Sequence, residues 1–276
     1  MIFDLKSILS LADQHGVAVP AFNVYNLETL MGVKLAAEEA QAPVIIQMYS
    51  RLFDNLDGSL LSPAILEAIR QLKTPAAFHL DHGAGIPQVM RALRMGATGI
   101  MIDASTLPLE ENIEKTKEAV ALCRSVNVPV EAELGHIGGA NDEVLSNFTD
   151  IDEAERFVSE TNVDCLAIMV GTGHGRYAKT PVLDIDRIRT IREKTGVPMV
   201  LHGGSGVPDD QIRMAIEAGV RKINFATDLC YAFMDAAFGS KRNFAPLDLF
   251  MRDPVQAAKE YALSKIRLLG ADKIEC

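Results

Sequence analysis

Four of the six histidines in this 276-residue chain fall in three short clusters that carry other reactive side chains: His79-Leu80-Asp81-His82, Gly171-Thr172-Gly173-His174-Gly175 and His202-Gly203-Gly204-Ser205-Gly206. Three imidazoles brought from separate segments to one rim form a three-ligand zinc site with an open fourth position. That is the arrangement of catalytic zinc, since structural zinc closes its shell. For any single histidine a hydrogen-bonded place inside the fold is the plainer reading, and it is the joint pattern that favours a metal. A fourth cluster, Glu131-Ala132-Glu133, brings carboxylates. Glu133 would support a ligand or serve as an alternate one, or else form a salt bridge within the fold.

The glycines of the second and third clusters, with the polar turn Asn224-Phe225-Ala226-Thr227-Asp228, form a candidate phosphate cradle. Small residues let backbone N–H groups approach an anion closely. A single Gly-rich turn is more often only a tight connection, and the signal gains force beside a metal triad. Lys179, shortly after His174, would add positive charge to the same anion or stand in solvent as a loop lysine.

The elements that must position these residues alternate. Short apolar, β-branched runs read as strands at 17–24, 43–49, 76–82, 98–104, 130–134, 165–171, 198–204 and 222–228. Amphipathic stretches such as 27–42, 62–72, 112–126, 185–196 and 209–220 read as helices between them, several closed by Gly or Pro. Eight βα units predict a single (β/α)8 TIM barrel over residues 1–276, with a helix before it and a helical extension after it. A doubly wound open sheet is the competing architecture, less suited to eight evenly spaced units without a GxGxxG turn. In a barrel the reactive clusters all fall at the C-terminal ends of strands, where this fold places its chemistry, and the loops after strands seven and eight are its usual phosphate site. Strand alternation sets Asp81 and His82 on opposite faces unless the strand frays there. The stretch 239–253 interrupts the pattern and is a candidate for subunit or substrate contacts. A last helix is expected with Asp253 as N-cap, Pro254 in its first turn and Gly270 at its end.

The series AFNVYNLET, HLDHG, EAELGHIGG, GTGHGRYAKTP, LHGGSGVP and KINFATDL resembles the class II, zinc-dependent fructose- and tagatose-1,6-bisphosphate aldolases, most closely the tagatose type. The likeness runs in order from Asp4 to Asp228 and thins beyond it. It implies zinc ligands His82, His174 and His202, with Asp81 exchanging a proton with the substrate hydroxyl. It also implies that Gly175, Gly203 to Ser205 and Asn224 to Thr227 hold the phosphate and enediolate end of dihydroxyacetone phosphate. Asp81 and Glu133 are thus the catalytic candidates. Gly175, Lys179, Gly203, Gly204, Ser205, Asn224, Phe225, Ala226 and Thr227 are the candidates for binding substrate.

Three departures from the family pattern bear on the substrate. The loop after strand five reads Gly138-Gly139-Ala140-Asn141-Asp142-Glu143, where an acidic pair usually follows the glycines. Asn141 cannot transfer a proton, so Asp142 or Glu143 substitutes, that step runs differently, or both acids are solvated loop charges. After Gln47 stands Met48-Tyr49-Ser50-Arg51 in place of a small hydroxyl residue. Tyr49 would crowd the pocket, while Ser50 would restore the hydroxyl and Arg51 would add an anion contact, unless both face solvent. Asn243 to Asp248 stand where an Asp-Pro-Arg-Lys element is usual.

Composition narrows the field further. Hydrophobic residues at 48% and charged residues at 23% exclude disorder and coiled coil. With 27 Lys+Arg against 37 Asp+Glu the net charge is −10, which gives no footprint for nucleic acid or anionic lipid. No apolar run approaches the ~18 residues of a membrane span, and no basic, apolar export signal opens the chain. Cys123, Cys165, Cys230 and Cys276 form no C-x-x-C pair, as expected of reduced thiols in a cytoplasmic protein. The expected function is zinc-dependent cleavage of a sugar phosphate, with a ketose 1,6-bisphosphate foremost and a ketose with another aldehyde end as the variant. The resemblance also implies a homodimer or homotetramer, and a monovalent cation near the phosphate is compatible with it. A metal-dependent hydrolase and a metal-binding relative without turnover are the other function classes.

Overall fold

Period-two alternation sorts the strand residues into two layers in the computed structural model, which describes residues 1–140, 148–240 and 246–275. The strands are β1 (Val19–Asn23), β2 (Val44–Tyr49), β3 (Ala76–Gly83), β4 (Gly99–Ile102), β5 (Val130–Leu134), β6 (Cys165–Ile168), β7 (Met199–Leu201) and β8 (Val220–Phe225). They pair in sequence order, each parallel to the next, and β8 closes on β1 through Val19 opposite Lys222 and Phe22 opposite Phe225. The closed eight-stranded barrel expected from the sequence is the observed fold.

Helix α1 (Leu5–His15) precedes the barrel, and α2 (Leu27–Ala40) follows β1. α3 (Ser50–Phe53) and α4 (Leu56–Gln71) follow β2. α5 (Ile86–Arg94), α6 (Leu109–Arg124), α7 (Ile151–Thr161), α8 (Ile185–Thr195) and α9 (Asp209–Glu217) follow β3 to β7 in turn. After β8 come α10 (Thr227–Gly239), α11 (Leu247–Phe250) and α12 (Arg252–Leu269). Outward strand residues such as Phe22, Ile46, Phe78 and Leu166 pack under this helical ring in one continuous core.

Inward residues build a second core with a different floor. Ala21, Ile45, Ala77, Cys165, Ala167 and Val200 gather with Leu5, Ile8, Leu9 and Ala12 of α1, which plugs the N-terminal end of the barrel. Asp4 caps that helix by accepting from the Ser7 amide at 2.7 Å, and Gly16 ends it in the left-handed region at φ +65°. Burying each Leu or Ile of the plug contributes about 1.5–3 kcal/mol. Gly99 on β4 is required at this level, because a Cβ there would stand 2.7 Å from both His79 Nδ1 and Leu5 Cβ. Above this apolar floor the inward positions turn polar, with Asn23, Gln47, His79, Glu131 and Lys222 all buried. The mouth chemistry rests on that layer.

Several boundaries differ from the sequence expectation. β6 stops at Ile168 and β7 at Leu201, because the chain leaves the ladder for the glycine loops, with Gly171 at φ +108° and Gly203 at φ +64°. Helix α4 starts six residues before the expected position and carries Pro63 inside it. Burial of Leu61 and Ile65 along one face continues the helix across the missing Pro amide. Asp253 is not the N-cap of α12. α11 runs almost directly into α12 through Met251, which occupies the cap position in αR conformation, so Asp253 lies in the first turn, while Gly270 ends the helix at φ +74° as expected. No helix among the described residues is long and apolar enough to cross a membrane.

Candidate active site

The end of β3 resolves the alternation problem. Pairing between β3 and β4 shifts register between Leu80 and Gly83, and His82 takes φ +52°. This bulge turns Asp81 and His82 toward the same cavity, where strict alternation would separate them. Such a conformation costs a non-glycine residue stability and is held by its surroundings. Here the His82 amide donates to Met101 Sδ at 3.4 Å and its ring Nδ1 donates to Asp103 Oδ2 at 2.7 Å.

The rings of His82, His174 and His202 converge from β3, the loop after β6 and the end of β7. Their centroids are 4.9 Å apart for His82–His174, 4.8 Å for His82–His202 and 5.8 Å for His174–His202. One nitrogen of each lies within 4.8 Å of the others. The remote nitrogen of each ring faces an acceptor: Asp103 for His82, the Ile137 carbonyl at 2.9 Å for His174 and Glu131 Oε1 at 2.9 Å for His202. A carbonyl or an ionised carboxylate can only accept, so each contact fixes the tautomer and leaves the inner nitrogen with a free lone pair. His202 Nδ1, fully buried, has no hydrogen-bond partner. Three oriented lone pairs around a common space, one of them orphaned, fit a cation. Against the opposing effect of burial, Asp81, Asp103 and Glu133 push the His82 ring up to about 10, so the surroundings favour positive charge, and a bound cation would displace the proton from the inner nitrogen of this ring. His82, Asp103 and Glu133 form a second group close enough to share an ion, but there Asp103 is already engaged by His82 Nδ1.

Asp81 sits beside the triad with both oxygens held, accepting from Asn23 Nδ2 at 2.7 Å and from Asn224 Nδ2 at 3.2 Å. Burial works to raise its carboxyl, but the charges of His82, His202 and Lys222 and the Asn23 bond hold it below the ordinary range. Asn23 is itself aligned by Gln47, and Asn224 by the buried Lys222 ammonium, which also meets Glu131 at 2.9 Å. Glu133 does not line the cavity, but its Oε2 stands 3.4 Å from the inward-facing His202 Nδ1, and its Oε1 accepts from Ser105 and the Ile137 amide. Burial and the Asp103 charge push it up to about 8. His79, the fourth clustered histidine, is one layer deeper and 3.3 Å from Glu131, apart from the triad.

A cavity of about 240 Å³ opens over these groups. Gly175, Gly203, Ser205, Asn224, Ala226 and Thr227 line it on the side of β6 to β8. The Tyr177 hydroxyl accepts from the Gly173 amide and donates to the Gly203 carbonyl, both at 2.8 Å, and so ties two of these loops together. Three expected binding residues lie elsewhere. Gly204 does not line the cavity, its amide donating to the Asn224 carbonyl. Phe225 is buried in the outer core against Phe22, and Lys179 is exposed away from the cavity. Tyr49 and Arg51 do line the cavity, whereas Ser50 is buried outside it. Asn141, Asp142, Glu143 and Asn243 to Ala245 lie outside the described residues.

Sequence reading did not single out Asp103, Glu131, Asn23 or Lys222 as site residues. Asp103 directly follows β4 and Asn23 ends β1, so position at a strand end was the available signal. Glu131 and Lys222 act from one layer below the mouth, where only the assembled barrel brings them together.

A parallel barrel with an oriented imidazole triad at its C-terminal rim narrows the class, and the comparisons name it. Over residues 3–273 the sequence matches the family described as fructose-bisphosphate aldolase class-II, and the chain belongs to that family of carbon–carbon lyases. Among solved structures it is similar to the YdjI aldolase from Escherichia coli K12, at 38% identity, covering 100% of both chains with a TM-score of 0.91. It is also similar to a putative fructose-1,6-biphosphate aldolase from Coccidioides immitis, at 29% identity over 97% of this chain and 96% of that one, TM-score 0.89. The fold alone is shared with a fructose-bisphosphate aldolase from Campylobacter jejuni, at 19% identity over 99% and 97% of the two chains, TM-score 0.84.

Proposed function

We propose that the protein is a zinc-dependent aldolase that reversibly cleaves a ketose 1,6-bisphosphate, of the tagatose or fructose type, into dihydroxyacetone phosphate and glyceraldehyde 3-phosphate. The observation that carries this reading is the triad whose three remote nitrogens are each anchored, leaving three lone pairs converging beside an ionised Asp81. His82, His174 and His202 would hold zinc, which would supply a Lewis acid for the ketose carbonyl and for the negative charge that develops as the bond breaks.

The chain's own residues do the rest. Asp81 takes the proton of the C4 hydroxyl as the C3–C4 bond breaks. That oxygen becomes the aldehyde carbonyl, the bonding pair stays on C3 of the other fragment, and a proton taken up at C3, balancing the one now on Asp81, completes dihydroxyacetone phosphate. In condensation Asp81 returns the proton. Asn23 and Asn224 hold the carboxylate in one orientation, so no reorganisation precedes transfer. Gly175, Gly203, Ser205, Ala226 and Thr227 bind the phosphate, with a monovalent cation as a compatible companion. Glu133 supports His202 and is the alternate carboxylate ligand. The assembly we expect is a homodimer or homotetramer, which light scattering tests.

The deciding assay is release of dihydroxyacetone phosphate from fructose- and tagatose-1,6-bisphosphate, repeated after chelation and after zinc is restored. Release that vanishes and returns with zinc supports the reading. Silence on both sugars with zinc bound overturns the bisphosphate assignment.

A further inference from the structure

The cavity has a second wall, formed by Tyr25 beyond β1, Tyr49 at the end of β2 and Arg51 in α3. The Arg51 guanidinium stands 5.4 Å from the Tyr25 ring centroid and 5.0 Å from that of Tyr49, so one cation is placed by two aromatic faces. Among the described residues no carboxylate pairs with Arg51. Asp54, one turn along the chain, is taken by Arg91. A guanidinium fixed at a cavity mouth without a counter-ion presents a planar fork of donors that matches the oxygens of a carboxylate or phosphate.

Its place relative to the rest of the site gives the direction. The glycine cradle comes from the loops after β6, β7 and β8, while Arg51 comes from α3, directly after β2. The Tyr49 ring, 5.6 Å from the His82 ring, stands next to the triad on the Arg51 side. A ketose with its phosphate in the cradle and its C4 hydroxyl at Asp81 carries its remaining carbons into the arc of β1 to β3. We infer that Arg51, held by Tyr25 and Tyr49, binds an anionic group, phosphate or carboxylate, at the far end of the aldehyde half of the substrate. This rests on the aldolase reading and makes Arg51 the residue that selects the aldehyde.

The test runs condensation with zinc-loaded protein, dihydroxyacetone phosphate and three aldehydes: glyceraldehyde 3-phosphate, succinic semialdehyde and neutral glyceraldehyde. For the wild type, kcat/KM is expected to be higher for an anionic aldehyde than for glyceraldehyde, and the better of the two anionic ones identifies the group. In Arg51→Gln the ratio of anionic to neutral kcat/KM should fall on the order of 10²-fold, with the KM for dihydroxyacetone phosphate moving little. Arg51→Lys, which keeps the charge but not the fork, should restore part of the ratio. A ratio unchanged in both variants, a loss confined to the KM of dihydroxyacetone phosphate, or a wild type that prefers glyceraldehyde overturns the assignment to Arg51 and leaves the aldolase reading standing. If the wild type condenses none of the three aldehydes, it is the aldolase reading that fails.

Discussion

Lys222 and Asp81 are joined through one side chain: the Lys222 ammonium donates to Asn224 Oδ1 at 2.7 Å, and Asn224 Nδ2 donates to Asp81 Oδ1 at 3.2 Å. The same ammonium meets Glu131, which holds His202. A single buried cation therefore aligns Asp81 from one side and a triad histidine from the other. Replacing it, as in Lys222→Met, leaves Glu131 ionised without its buried partner and should cost about 3–5 kcal/mol. Urea unfolding of the zinc-free protein checks this. A change below 1 kcal/mol would mean that Glu131 is stabilised elsewhere.

Asp81→Ala should remove cleavage while leaving the metal in place, since Asp81 is not one of the anchored nitrogen donors. The expected loss in kcat is at least about 10²–10⁴-fold, with one zinc per chain retained by elemental analysis. Wild-type turnover in this variant would take Asp81 out of the mechanism.

His174→Ala should lower zinc occupancy outright. Asp103→Asn, which weakens the anchor of His82 without deleting a ligand, should lower zinc affinity by roughly 10–100-fold. Competition with a chromophoric chelator ranks the two. Equal affinity in wild type and Asp103→Asn would show that the His82 ring is oriented by something other than the contact at its Nδ1.

Acid should destabilise the fold through Glu131. Burial tends to raise its carboxyl, but Lys222, His202 and His79 together hold it well below 4.5. A carboxyl whose folded value is depressed contributes stability that is fully present above its unfolded value and is lost as pH falls through the folded one. Thermal melts of the zinc-free protein should therefore be flat in this contribution above pH about 5 and decline below it. In Glu131→Gln that part of the acid slope should disappear.

The barrel was legible because its strands are short, apolar and evenly spaced, and because reactive residues crowd their C-terminal ends. The three strand ends that carry histidine could be grouped for the same reason, while the choice of His82 over His79 came from the family resemblance. The geometry that lets Asp81 and His82 act together was not legible, since alternation predicts the reverse and only the register shift against β4 undoes it. Asp103 and Glu131 look like ordinary strand-end and strand carboxylates until a ring nitrogen is seen against each. Phe225 and Lys179 show the opposite error: a motif names neighbours along the chain, whereas the strand face and the loop path decide which of them reach the cavity. Pro63 hid the start of α4.

The phenol of Tyr177 has a mechanical meaning. One oxygen receives the amide preceding His174 and grips the carbonyl that follows His202, so the two loops are pinned at a shared rivet. A displacement of either loop is transmitted to the other, which keeps the spacing between His174 and the Gly203 turn constant.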